Sequence, residues 1–269
     1  MANEQSKRDR LMVSVTFDSN VWENIVDEQK RRSNTIYQEL YELIESGQIT
    51  PFFFEGLAVL ESIPKDQRKD YMANFRATIT VQANDEEPRT KKGTAASKPT
   101  DYLARNIPAA LRLGFRFIGT PRIGAPSLDI PDEYRAPDAK YPLEERVKRT
   151  FECGRYIERL GAGRGKLDSR LGGDRNRGIV QRTRTNKTLS SKQFAKDVGE
   201  WADGDALAAH YGYGIDFFCT NDQAGSAGTA SVFSKANREK LREVFGIRIG
   251  SPQELLTIVN EKIGPNGSA

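Results

Sequence analysis

Trp201–Asp222 reads WADGDALAAHYGYGIDFFCTND, and the order of its residue types predicts a helix, then a strand, with a crevice beside them. Asp203 and Asp205 stand where a helix is expected to start. An alanine-rich turn follows, and Gly212 and Gly214 can end that helix. Ile215-Asp216-Phe217-Phe218-Cys219 is a short apolar run of the kind a buried parallel strand makes. Thr220-Asn221-Asp222 closes it, leaving a carboxylate where the strand would leave the sheet. Open α/β sheets bind ligands outside the carboxyl ends of their strands. A helix-start Asp and a strand-end Asp are therefore expected to face one crevice.

The flanking chain repeats the strand-then-helix alternation. Residues 11–17, LMVSVTF, form a β-branched run that ends at Asp18, and Asp18-Ser19-Asn20 can cap a following helix. Ile36, Leu40, Leu43 and Ile44 recur at helical spacing up to Gly47. Ile49 to Phe54 reads as a second buried strand, and residues 56–63 as a short helix carrying Glu61 on an otherwise apolar segment. A lone carboxylate there is costly unless it is paired, hydrogen-bonded or metal-bound; Glu55, at the strand end, competes for the same role. Residues 65–75 can form a helix, residues 77–81 alternate as a strand, and 84–100 read as a polar loop. Phe115 to Ile118 is the best strand of the middle segment, 121–142 is proline-rich, and 144–160 looks helical. Near the carboxyl end, residues 246–250 read as a last strand. Ser251 and Glu254 then form a capping box at a final helix. Such alternation argues for helices packed on a mainly parallel sheet.

Composition limits the chemistry. The 269 residues include two cysteines and a single histidine. Cys153 and Cys219 lie far apart and match no metal spacing. With one histidine, neither a His-rich zinc site nor a Ser/His/Asp triad has much material, and carboxylates remain for hard-metal chemistry. No apolar run approaches the ~18 residues of a membrane span, and the amino-terminal MANEQSKRDR lacks the apolar segment of a secretory signal. A cytoplasmic protein without a membrane partner is the expectation.

In this order the residues resemble the PIN domain family of metal-dependent nucleases. The family pattern is an Asp ending the first strand, a Glu in a short helix after the second, an Asp opening a later helix and an Asp after the next strand. VSVTFDSNVW supplies Asp18 with Asn20, ITPFFFEGLAVLES supplies Glu61, and GDALAAHYGYGIDFFCTND supplies Asp205 and Asp222 with Thr220 between strand and Asp. The tail FGIRIGSPQELL looks like the family's closing strand and helix. The resemblance implies a three-layer α/β/α sandwich, built from residues 11–75 and 190–263 around an inserted segment at 76–189. It also implies that Asp18, Glu61, Asp205 and Asp222 are both metal ligands and catalytic residues, with Asn20, Asp203 and Thr220 auxiliary; Asp205 is favoured as ligand and Asp203 as helix cap. Mg²⁺ or Mn²⁺ suits such a donor set, because hard ions prefer oxygen ligands and a divalent ion lowers the pKa of bound water and clamps phosphoryl oxygens. The implied activity is RNA phosphodiester cleavage. Cleavage of DNA, or a non-catalytic binding or scaffolding role, are the alternatives. By family analogy a protein antitoxin or regulator, or a second copy of the chain, could be partners.

The insertion carries the positive charge. Residues 135–187 hold 15 Lys/Arg and 7 Asp/Glu, whereas the whole chain is only +4. Arg164, Lys166, Arg170, Arg175, Arg177, Arg182, Arg184 and Lys187 are the densest part. Gly/Arg-rich and poor in apolar residues, 161–187 is expected to be a flexible or partner-ordered loop that grips nucleic-acid phosphates. A solvated surface loop or protein-binding arm is the other reading.

Overall fold

Strand β1 (Val13–Phe17) alternates cleanly. Val13, Val15 and Phe17 enter one apolar cluster, while Thr16 faces the other way. Period-two alternation puts successive side chains on opposite faces of a sheet, and β1 therefore divides two cores. The computed structural model describes residues 12–56, 63–74, 78–82, 89–93, 101–120, 130–137, 140–174, 177–224 and 230–263. In chain order β1 is followed by α1 (Ser19–Val26), α2 (Glu28–Arg32), α3 (Thr35–Glu45), β2 (Ile49–Phe54), α4 (Arg68–Asn74), β3 (Thr78–Gln82), β4 (Arg89–Gly93), α5 (Asp101–Leu113), β5 (Arg116–Ile118), α6 (Leu143–Arg159), α7 (Arg164–Leu171), α8 (Ile179–Thr185), α9 (Ser191–Tyr213), β6 (Phe217–Cys219), α10 (Lys235–Phe245), β7 (Ile249–Gly250) and α11 (Pro252–Ile263).

Five strands form one parallel sheet in the order β5-β2-β1-β6-β7. On one face, Val21, Trp22 and Ile25 of α1, Leu40 and Ile44 of α3, Ala110 of α5 and Leu255 and Val259 of α11 pack against Phe53, Phe117 and Phe217. On the other, Cys153 and Ile157 of α6, Ala206 and Leu207 of α9 and Leu241 of α10 pack against Phe54, Ile118 and Phe218. The architecture is α/β, a parallel sheet with helices on both faces. Among the described residues no helix is long and apolar enough to cross a membrane.

Helix α9 extends beyond this sandwich. At 23 residues it is about 34 Å long. Its second half lies on the sheet, while Phe194, Val198 and Trp201 of its first half join Met72 of α4, Leu167 and Leu171 of α7 and Ile179 of α8 in a third apolar cluster.

Several expectations change. Asp203 and Asp205 do not start a helix: α9 begins at Ser191, where the Ser190 side chain caps the Gln193 N–H, and it ends on Gly214 in the left-handed region. Residues 161–187 are not a flexible loop, because α7 and α8 bury Leu167, Leu171 and Ile179. The polar stretch 84–100 contains β4, antiparallel to β3. Within the expected insertion, β5 pairs with β2 and α5 packs in the first core, so residues 101–118 belong to the sandwich itself.

Candidate active site at the carboxyl edge of the sheet

Strands β1 and β6 are neighbours with Phe17 opposite Cys219, so the next residues, Asp18 and Thr220, leave the sheet side by side. Asp18 caps α1. Its Oδ1 accepts the Ser19 N–H at 2.7 Å, and its Oδ2 accepts the Thr220 hydroxyl at 2.6 Å and the Asn20 side-chain amide at 2.7 Å. Thr220 Oγ1 in turn accepts the Asp222 N–H at 3.0 Å. The Asn221 N–H donates to Asn20 Oδ1 at 2.9 Å, and the Asn221 amide also donates to the Tyr37 hydroxyl at 3.0 Å. Asp18, Asn20, Thr220 and Asp222 thus form one hydrogen-bonded set.

Asp18 is only 3% exposed. Burial raises its pKa above the ordinary carboxylate range; the hydrogen bonds from Thr220 and Ser19 oppose the rise, and the Asp222 charge adds to it. Asp222 sits in a braced loop. Its Oδ1 accepts the Ala224 N–H at 2.6 Å, while Arg238 of α10 donates to the Asp222 carbonyl and, at 2.8 Å, to that of Phe233.

The long helix reaches the same edge. His210 Nδ1 lies 2.9 Å from Thr16 Oγ1, which pins α9 to β1. From that point Asp18 is about 6.6 Å further along the strand. Counting back along α9, Asp205 is about 7.5 Å and Asp203 about 10.5 Å in the same direction. Phase separates these two. Asp203 is seven residues, nearly two full turns, from His210 and shares its sheet-facing stripe, half-buried; Asp205 is rotated about 140° from it and is buried at 7% exposure. Helical phase therefore favours Asp203 as the carboxylate that faces the sheet edge, the reverse of the sequence preference.

Glu61 and Arg175 lie outside the described residues, so their expected roles have no geometry here. Glu55 is engaged elsewhere, in an ion pair with Arg135 at 3.0 Å. The basic residues divide into two groups. Lys166 and Arg182 are buried, Lys166 3.9 Å from Glu200 and Arg182 paired with Asp168. Arg164 pairs with Asp168 at 3.5 Å and Arg170 with Asp197 at 2.9 Å. Burial and pairing withdraw Lys166 and Arg182 from the expected phosphate grip. Arg177, Arg184 and Lys187 are exposed.

Sequence reasoning missed Glu200. It is 5% exposed, accepts the Val232 N–H at 2.5 Å and the Gly163 N–H at 3.4 Å, and so ties the loop after Asp222 and the α6–α7 turn to α9. Its spacing three residues after Asp197 and three before Asp203 was the available signal. Arg238 gave none, because nothing in its local sequence marks it as the brace of Asp222.

The site donors are all oxygens, which suits Mg²⁺ or Mn²⁺. A buried carboxylate pushed towards protonation by burial and a like-charged neighbour is one that a divalent cation would relieve. Among the described residues no three Asp, Glu, His or Cys side chains form a group that could hold a metal ion. Comparison with protein families, with curated proteins and with solved structures finds no match to this chain.

Proposed function

We propose that this chain is a metal-dependent endoribonuclease with a PIN-like fold. The observation that supports it most is the juxtaposition of buried Asp18 and half-buried Asp222 at the carboxyl ends of adjacent parallel strands, linked through Thr220. Asp18 and Asp222 would hold Mg²⁺ or Mn²⁺, with Asp203 or Asp205 and Glu61 completing the set. When bound, such an ion supplies a water of lowered pKa and neutralises charge on the phosphoryl oxygens. The chain's own residues do the rest. Thr220 and Asn20 donate to Asp18 Oδ2 and the Ser19 N–H to Oδ1, so that the carboxylate is oriented before substrate arrives. Arg238 and the Ala224 N–H hold Asp222 in register. The exposed Arg177, Arg184 and Lys187 would offer phosphate contacts along the backbone, which position a strand without reading its sequence.

The test is incubation of the purified protein with labelled RNA and DNA in Mn²⁺, Mg²⁺ or EDTA. Cleavage of RNA, dependent on a divalent ion and lost in Asp18→Asn and Asp222→Asn while thermal melts show folded protein, is the expected result. Activity that survives EDTA or both substitutions sinks the metal mechanism, and cleavage confined to DNA sinks the ribonuclease assignment.

A further inference from the structure

Helix α6 covers α9 with one face and shows further apolar residues beside it. Thr150, Cys153, Gly154 and Ile157 are buried against the rest of the molecule. Leu143, Val147 and Phe151 follow one another at i, i+4 spacing along the edge of that buried face, with Leu143 59% and Phe151 40% exposed and Val147 half-buried. Residues four apart lie on one helix face, so these three make a continuous stripe. Single exposed apolar residues are ordinary; three in register on one helix are what a partner helix would cover.

Charge identifies the partner. Glu144 lies beside the stripe near the amino end of α6 and Arg155 beside it near the carboxyl end, both exposed. In helical phase they are within about 20° of each other, on the same flank. A twofold axis perpendicular to two antiparallel α6 helices, at the level of residues 149–150, keeps that flank on the same side in both copies. It sets Glu144 of each opposite Arg155 of the other and brings Phe151 against the other's Val147. The stripe is thus complementary to itself when antiparallel, which is the requirement of an isologous contact.

We infer that two copies of this chain associate through antiparallel α6 helices, with Val147 and Phe151 at the centre, reciprocal Glu144–Arg155 pairs beside them and Leu143 at each margin. The contact is small by the standard of stable interfaces, which bury about 1,200–2,000 Å², so the association is weak and concentration-dependent. It is independent of the nuclease assignment.

Sedimentation velocity of the full chain from low to high micromolar concentration tests it. The wild type should shift from monomer towards dimer. Glu144→Arg and Arg155→Glu, which oppose like charges twice in each dimer, should each weaken association about tenfold, equivalent to about 1.4 kcal/mol. The double reversal should restore it. Phe151→Glu should abolish it while circular dichroism and melting temperature stay near wild type, since the side chain is exposed in the monomer. A wild type that stays monomeric throughout, a double reversal no better than the singles, or a Phe151→Glu protein that still dimerises each overturns the inference.

Discussion

Two residues at the strand–helix contact carry opposite pH signatures. Burial raises Asp18 and lowers His210 to about 3 from 6.5, a drop opposed by Asp216 and aided by Lys140. A base whose folded pKa is depressed contributes stability above its unfolded pKa and loses it as pH falls, because only the unfolded chain takes up the proton. His210 should therefore cost the fold up to about 1.4 kcal/mol per pH unit below roughly 6.5. In His210→Gln that part of the slope should vanish, even if the variant is weaker at pH 7. Denaturant unfolding of both proteins at pH 7, 6 and 5 measures it, and parallel lines would mean that His210 titrates normally. The choice between the α9 carboxylates is also made at this scale. Asp203→Asn should weaken Mn²⁺-induced stabilisation and cleavage more than Asp205→Asn. Thermal melts with and without Mn²⁺ read this apart from activity: a bound ion at a hundredfold excess over Kd adds about 2.7 kcal/mol. The reverse order would restore the preference read from the sequence.

At the scale of elements, the close approach of α6 and α9 depends on glycine. A Cβ added at Gly212 would stand 2.0 Å from Thr150 Oγ1 and 3.1 Å from the Arg146 carbonyl. Alanine normally favours a helix interior by about 1 kcal/mol over glycine, but here overpacking of about 1–3 kcal/mol should win. Gly212→Ala should lower the melting temperature by several degrees, and a rise would show that the helices can part without cost. The sequence stretch that contains Gly212 was also read in part correctly. The strand Phe217–Cys219, the capping of the carboxyl-terminal helix and the places of Asp18 and Asp222 after their strands were legible because they rest on local pattern: a short apolar run, a capping box, a carboxylate at a strand end. A helix starting at Ser190 is legible from its cap, but its unbroken run through Asp203 and Asp205 is not, because Gly199 and Gly204 interrupt the apolar spacing; Gly204 is there for packing, its Cβ position lying 3.0 Å from the Gly163 Cα. Helices α7 and α8 were invisible for a related reason. Their few apolar residues are spaced among charges, and what orders them is a distant surface, the amino-terminal half of α9 and Met72 of α4. The sequence favours Asp205 over Asp203, and the His210–Thr16 contact adds a helical phase that points the other way.

Across the whole molecule, the positive charge of residues 135–187 is spent in two ways. Buried Lys166 pairs with Glu200 and ties α7 to α9, while buried Arg182 pairs with Asp168 and ties α8 to α7. Removing Lys166 leaves the buried Glu200 carboxylate without its cation, a loss of about 3–5 kcal/mol, whereas Asp168 keeps Arg164 when Arg182 is removed; Lys166→Ala should therefore loosen the extension, and Arg182→Ala should cost less. Arg177, Arg184 and Lys187 face solvent, although Arg184 also donates to the Ala73 carbonyl. If they are the grip, replacing all three by Ala should flatten the log–log dependence of RNA affinity on salt by up to about 2 units, at roughly 0.7 per phosphate contact on a single strand. The melting temperature and the Mn²⁺ response should stay close to wild type, since none of the three belongs to the acidic set. Filter binding from low to moderate salt measures the slopes. Coincident slopes would remove these residues from the nucleic-acid surface and leave the extension as scaffold for α9, with any grip elsewhere on the sandwich.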